Sequence, residues 1–133
     1  MDKYLGRFSP YLYSILRIIA AIMYLLHGTQ KLFGFPGAGG HVPYASLFGA
    51  GGIIELTTGT LIAIGLFASY AAFIASGELA FVYFLFHFPK SFWPIISHGE
   101  IVVMFCFFFL YVASRGAGVW SIDSLRGASG KKT

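Results

Sequence analysis

The apolar residues of this chain fall into four long runs, separated by short breaks rich in glycine, proline or polar residues. Each run approaches the ~20 residues that a helix needs to cross a hydrocarbon core of about 30 Å. We therefore predict an all-α fold, an integral membrane four-helix bundle. The predicted spans cover residues 11–33, 49–67, 70–88 and 94–113.

Composition supports the membrane assignment. The 133 residues are 57% hydrophobic and only 11% charged, whereas a soluble domain carries about 25% charged residues. One bundle uses up the length, so we predict a single domain over residues 1–126 and a disordered cytoplasmic tail over 127–133. The first span is too long for a signal peptide and lacks a small-residue cleavage site.

The distribution of lysine and arginine predicts the orientation, because cytoplasmic segments carry the excess of positive charge. The segments before the first span and after the fourth are basic, while the opposite side offers only Lys31 and Lys90. Both termini are therefore expected in the cytoplasm. The net charge of +4 does not indicate nucleic-acid binding, since the basic residues gather at the two chain ends and form no patch.

Three of the five acidic residues lie inside apolar runs, where a carboxylate is costly and usually functional. Counting 1.5 Å per residue from the outer ends of the spans places one group of polar residues within roughly 9 Å of the outer surface. We call it the predicted outer cluster and interpret it as an outward-facing pocket. Glu55 and Glu100 are its candidate catalytic proton carriers, and the candidate quinone- or substrate-binding residues are His27, Gln30, Lys31, His87 and His98.

The outer cluster has other interpretations. Its side chains could form a hydrogen-bond network that only fixes helix packing, or they could hold a metal ion. No single helix carries an HxxxH or ExxH pair, so the metal signal is weak and no metal site is predicted. A quinone headgroup needs hydrogen-bond donors in an apolar slot, and the histidines, Lys31 and Gln30 supply donors.

A second polar layer is expected near the inner surface. Arg17 and Glu78 lie at roughly 9 and 12 Å from that surface by the same count, which predicts an ion pair between the first and third spans. The pair would lock two helices, or else relay protons. Cys106 is the only cysteine, so it can form no intrachain disulfide and is expected to fill apolar space.

Small residues recur every fourth position of the third span, which allows close approach of another helix. We consider this stripe as a candidate homodimer face. Its members are Ala68, Ala72, Ser76 and Ala80.

Several short motifs occur in a fixed order: HGTQKLFG at 27–34, GIIELTTGTLIAIGLF at 52–67, HFPKSFWP at 87–94, HGE at 98–100 and GAGVWSID at 116–123. Together they resemble the DoxX family of small four-helix membrane proteins, from about residue 17 to residue 123. This family is similar to the DoxD-type subunit of a thiosulfate:quinone oxidoreductase. The resemblance implies a multi-pass protein of the bacterial inner membrane with a link to quinone chemistry, and its polar motif positions are His27, Lys31, Glu55, His87 and Glu100.

Our leading functional hypothesis is a membrane subunit that supports a quinone-linked oxidoreductase, in which the outer cluster binds a quinone, the candidate non-covalent cofactor, or a small reduced substrate. The sequence carries no flavin, haem or iron–sulfur motif, so a partner protein is expected to supply the redox centre. One alternative is a non-catalytic scaffold or assembly subunit, in which the polar groups only pin the helices. Another is a small permease, for which four helices are few unless the chain dimerises.

Overall fold

The computed structural model describes residues 1–37 and 40–126, and within them the secondary structure is entirely helical. The predicted tail over 127–133 lies outside this part of the chain. Four helices make up most of the fold. They are α1 (Ser9–Phe33), α2 (Leu47–Ile64), α3 (Ala68–Val82) and α4 (Glu100–Arg115). A π-helical turn, Tyr83–His87, extends α3, and short helices occupy Asp2–Leu5, Pro94–Ser97 and Ile122–Leu125.

Helix ends follow local chemistry. Ser46 caps α2 by accepting a hydrogen bond from the Gly49 amide at 3.1 Å. α1 and α2 each end at a glycine in the left-handed conformation, Gly34 at φ 73° and Gly65 at φ 74°, which glycine adopts without steric cost. The break between α2 and α3 therefore falls at residues 65–67, rather than at the predicted residues 68 and 69.

The predicted fourth span is interrupted. A short helix, Pro94–Ser97, is followed by His98 in the left-handed conformation and by Gly99 before α4 begins. Glu100 is consequently the first residue of α4 and is exposed. The helix that we expected to run continuously from Pro94 through Glu100 is therefore broken just before Glu100.

Three helical stretches are long and apolar enough to cross a membrane: Asp2–Phe33, Leu47–Ile64 and Ala68–His87. At 16 residues, α4 spans about 24 Å. Large apolar side chains cover much of the outside, among them Phe73 on α3 and Met104 on α4. A contiguous exposed apolar surface of this kind is expected where lipid is the solvent.

Close helix packing depends on small residues. α1 lies against α2 at Gly28, where an added Cβ would stand 2.7 Å from both the Gly52 carbonyl oxygen and the Leu56 amide nitrogen. α3 lies against α4 through its small-residue stripe, in which Ala72 is fully buried and Ser76 donates to the Cys106 carbonyl at 2.8 Å. The interpretation of this stripe as a dimer face was wrong, because the same chain covers it.

Candidate functional site

An ion pair between α1 and α2 is the starting point of the site. Lys31 lies in the last turn of α1, and its Nζ is 2.9 Å from Oε2 of Glu55. Glu55 is only 4% exposed. Both residues were predicted to belong to one cluster, and the structure brings them together.

Glu78 and Tyr24 extend this pair onto α3 and along α1. The Tyr24 hydroxyl donates to Oε1 of Glu78 at 2.9 Å, and Tyr24 is almost completely buried. The Glu78 carboxyl neighbours the Glu55 side chain, so the two could share a hydrogen bond if one of them carried a proton. We call these four residues, Tyr24, Lys31, Glu55 and Glu78, the carboxyl cluster.

One oxygen in the carboxyl cluster has no partner. Among the described residues, Oε1 of Glu55 is buried without any hydrogen bond. Leaving a buried polar atom unsatisfied costs about 1–3 kcal/mol, and more for a charged group. A buried oxygen of this kind is a position where a proton donor or a ligand could bind.

A cavity of about 130 Å³ adjoins the carboxyl cluster, mainly between α2 and α3. Lys31 and Glu78 supply its charged groups, and most of the remaining wall is apolar. A few convergent polar groups in an apolar enclosure are typical of a small-molecule site. The apolar wall includes Leu47, Phe48, Ile54, Phe81, Val82 and Phe86.

Gly51 keeps space open between the two charged groups. A Cβ placed on Gly51 would lie 3.5 Å from Oε2 of Glu78 and 3.6 Å from Nζ of Lys31, both ordinary contact distances. The two charged side chains therefore converge on the same small region of the cavity wall. A ligand atom in that region would meet an ammonium group and a carboxyl group together.

Other members of the predicted outer cluster do not join this site. His27 and Glu100 are exposed. Glu100 lines a different groove, whose other residues are apolar and belong to α1 and α4. Gln30 donates from Nε2 to the Pro36 carbonyl at 3.1 Å. The structure therefore does not bring these residues to the Lys31–Glu55 pair, since equal depth does not fix the direction in which each helix turns its side chains.

The other two histidines of the predicted outer cluster, His87 and His98, lie in the connection between α3 and α4. Nδ1 of His87 lies 3.0 Å from the Ser97 carbonyl oxygen. His98 follows Ser97 as the exposed C-cap of its short helix. Across residues 1–37 and 40–126, no three histidine, cysteine or acidic side chains are grouped closely enough to hold a metal ion.

The predicted Arg17–Glu78 ion pair does not form. Arg17 is fully buried and instead donates to backbone carbonyls, with Nε 3.1 Å from the Ile62 oxygen and Nη2 2.8 Å from the Trp120 oxygen. Further carbonyls of Ala63, Ala117 and Val119 complete its surroundings. The carbonyls at the end of α2 lack intrahelical partners and are nearer than Glu78 to this guanidinium, so they take its donors.

Asp123 is the counterpart of Arg17 at the same end of the bundle. Its two carboxylate oxygens accept hydrogen bonds from the Phe67 and Ala68 amides, each at 3.0 Å. Negative charge at the start of α3 is favourable because the first amides of a helix point at it. Asp123 lies in the short helix Ile122–Leu125, which Ser121 caps.

Sequence reasoning assigned Glu78 to a different partner and did not consider Tyr24. Tyr24 precedes Lys31 by seven residues, or two helical turns, and therefore lies on the same face of α1. That spacing was the available signal for Tyr24. Glu78 gave no such signal, because its neighbours come from other helices.

The fold and the site define a multi-pass helical membrane protein with a buried carboxyl cluster beside a small cavity. The DoxX family model matches residues 12–88, more than half of the chain, and the protein belongs to the DoxX family. The match includes all four residues of the carboxyl cluster. The chain is 39% identical over 127 residues to an uncharacterized protein of Haemophilus influenzae, covering 90% of this chain and 94% of that one. No solved structure matches the chain.

Proposed function

We propose that this protein is a subunit of the bacterial inner membrane that supports a quinone-linked oxidoreductase. The cavity beside the carboxyl cluster would hold a quinone headgroup or the head of a small reduced substrate. The observation that carries the proposal is the partly buried Lys31–Glu55 pair with the unpartnered Oε1 of Glu55, next to that cavity.

The size and chemistry of the cavity are compatible with a single ring. An apolar cavity of about 150 Å³ accommodates benzene, and this one measures about 130 Å³. Phe48 and Phe81 line the cavity and are also exposed on the outside of the bundle. An apolar tail attached to the ring could therefore extend past them into lipid.

Lys31 and Glu55 have distinct tasks in this proposal. The Lys31 ammonium donates a hydrogen bond to an oxygen of the ring. Glu55 holds Lys31 in place and carries protons to and from the site. A bound quinone supplies a two-electron, two-proton redox couple, and a partner protein supplies the redox centre that exchanges electrons with it.

The proposed topology has four membrane crossings with both termini in the cytoplasm. Helix α4 alone is short for a crossing, and the helix Pro94–Ser97 before it adds length on the side away from the termini. The excess of lysine and arginine near the chain ends supports the orientation. Residues His27, Gln30, His87, His98 and Glu100 lie outside the cavity and have no task in the proposed site.

A scaffold or assembly subunit is the second candidate function. It is favoured by the hydrogen bonding of Arg17 and Asp123, which shows that this bundle uses buried polar groups to join helices. In a scaffold, the Lys31–Glu55 pair would likewise pin α1 to α2. A permease would require the chain to dimerise, and the small-residue stripe does not provide the face for it.

Quinone extraction and native mass spectrometry of the protein in mild detergent distinguish these functions. We expect quinone to copurify with the wild type and to be lost from Glu55→Gln. Glu100→Gln is the matched control, because it makes the same change at a carboxyl outside the carboxyl cluster. Wild-type protein that carries only phospholipid, with Glu55→Gln affecting thermal stability alone, would favour the scaffold.

A further inference from the structure

The charges of the carboxyl cluster do not balance if every group has its usual ionisation. Lys31 contributes one positive charge, while Glu55 and Glu78 would contribute two negative charges. A net negative charge among side chains that are largely buried in an apolar bundle is unfavourable. Two neighbouring carboxylates also repel each other, and one of them is then held in its protonated form.

The helices around the pair supply no second cation within the described residues. α1 contributes Tyr24 and Lys31, α2 contributes Glu55, and α3 contributes Glu78. α4 reaches this region with Phe109, whose ring packs against Tyr24 at 5.0 Å between centroids. Arg17 is committed to backbone carbonyls at another level of the bundle.

Hydrogen bonding also favours one protonated carboxyl in the carboxyl cluster, independently of the charge count. Two ionised carboxyl groups can only accept hydrogen bonds, so neither could donate to the other. A proton on either group would create an O–H donor between Glu55 and Glu78. Such a donor is what the unpartnered Oε1 of Glu55 lacks.

We propose that Glu55 and Glu78 hold one proton between them, and that Glu78, which lines the cavity, exchanges this proton with the occupant. In the transfer, the O–H bond of the carboxyl breaks and an O–H bond forms on the occupant. The carboxyl keeps the electron pair and becomes a carboxylate, which Lys31 and the Tyr24 hydroxyl stabilise. The occupant is thus a molecule with a basic oxygen, and the inference holds whether or not that molecule is a quinone.

Labelling with the hydrophobic reagent dicyclohexylcarbodiimide tests the shared proton. The reagent adds to a protonated carboxyl in an apolar environment, retains all atoms of both molecules and leaves a stable adduct after rearrangement. Intact-mass and peptide analysis of the wild type in mild detergent should show one adduct, on Glu55 or Glu78. Absence of an adduct on both residues would overturn the inference.

Isosteric variants identify the source of the proton. In Glu78→Gln and in Glu55→Gln, one carboxyl remains with Lys31 and can ionise, so labelling of that carboxyl should fall about tenfold, the equivalent of one pKa unit. Glu100→Gln should leave labelling of the carboxyl cluster unchanged. Wild-type labelling of the remaining carboxyl in either cluster variant would contradict a shared proton.

A measurement on the wild type alone covers the case in which the variants fail to fold. The infrared carbonyl band of a protonated carboxylic acid should be present in the purified protein at neutral pH and should shift in D₂O. Absence of this band would overturn the inference. Both tests are made without added quinone, so their outcome is separate from that of the proposed function.

Discussion

Two buried polar regions of this bundle differ in how fully they are satisfied. At the end near the termini, Arg17 and Asp123 have their polar atoms bonded to backbone groups of the helix ends. In the carboxyl cluster, by contrast, Glu55 keeps an unpartnered oxygen and adjoins a cavity. A fully satisfied network rigidifies a fold, whereas an incomplete one is expected where a ligand or proton completes it. The first region thus has its side-chain polar atoms bonded within the fold, whereas the second leaves one carboxyl oxygen available to a ligand or proton donor.

The largest effect on stability is expected from Arg17→Met. This change removes the donors of a fully buried guanidinium and leaves the carbonyls of Ala117 and Trp120 without a hydrogen-bond donor in the described part of the chain. We expect a loss of about 3 kcal/mol or more, since each orphaned buried group costs about 1–3 kcal/mol. Thermal unfolding in detergent measures it.

Arg115→Met is the control for Arg17→Met. Arg115 is only partly buried, and its guanidinium lies over the Tyr13 ring at 4.2 Å. Its loss should cost about 0.5–1 kcal/mol. Equal effects of the two arginine variants would contradict the structural role that we assign to Arg17.

A somewhat smaller loss is expected from Gly28→Ala. The new methyl group would meet backbone atoms of Gly52 and Leu56 at 2.7 Å, so α1 and α2 must move apart. Overpacking of this kind costs about 1–3 kcal/mol. The same unfolding measurement should show the loss, together with weaker pairing of Lys31 with Glu55.

Gly77→Ala is the matched control, because Gly77 is an exposed helical glycine with no atom within 4 Å of its added Cβ. It should stabilise the protein by about 0.5–1 kcal/mol, as alanine favours the helix over glycine. If Gly28→Ala were as well tolerated as Gly77→Ala, the close approach of α1 and α2 would be incorrect.

The next effect concerns the start of α3. Asp123→Ala removes the acceptors of the Phe67 and Ala68 amides. Loss of a helix cap typically costs about 0.5–2 kcal/mol, and hydrogen exchange should increase at these two amides while the carboxyl cluster keeps its labelling. Unchanged exchange at Phe67 and Ala68 would show that Asp123 does not cap α3.

These two regions also mark how far sequence reasoning reached. Apolar runs, Ser46 and the glycines at 34 and 65 determine where the long helices begin and end, so the predicted spans lie close to the observed helices. Depth along a helix correctly related Lys31 to Glu55. It failed for Arg17 and Glu78, because depth contains no information on helix rotation.

Rotation is set by side-chain packing between helices. Gly28 and Gly59 bring α1 and α2 together, and only this arrangement fixes which residues of α1 face inward. The interruption at His98 and Gly99 is another such feature, because it breaks the continuous helix that the apolar run predicted through Glu100. Such tertiary choices depend on several helices at once and leave little trace in any one segment.

Gly51→Ala is expected to change stability least and yet to weaken quinone binding strongly. The added methyl group fits at ordinary contact distance from Glu78 and Lys31, so unfolding should change by less than about 1 kcal/mol. The methyl group would nevertheless occupy the region where both charged groups converge. We therefore expect quinone copurification to fall about tenfold, corresponding to about 1.4 kcal/mol of binding free energy. Full retention of quinone by Gly51→Ala would show that quinone does not bind in this cavity. Loss of quinone with an unchanged melting temperature would show that the cavity binds a ligand independently of helix packing. A purely scaffold role for the Lys31–Glu55 pair does not explain that second result.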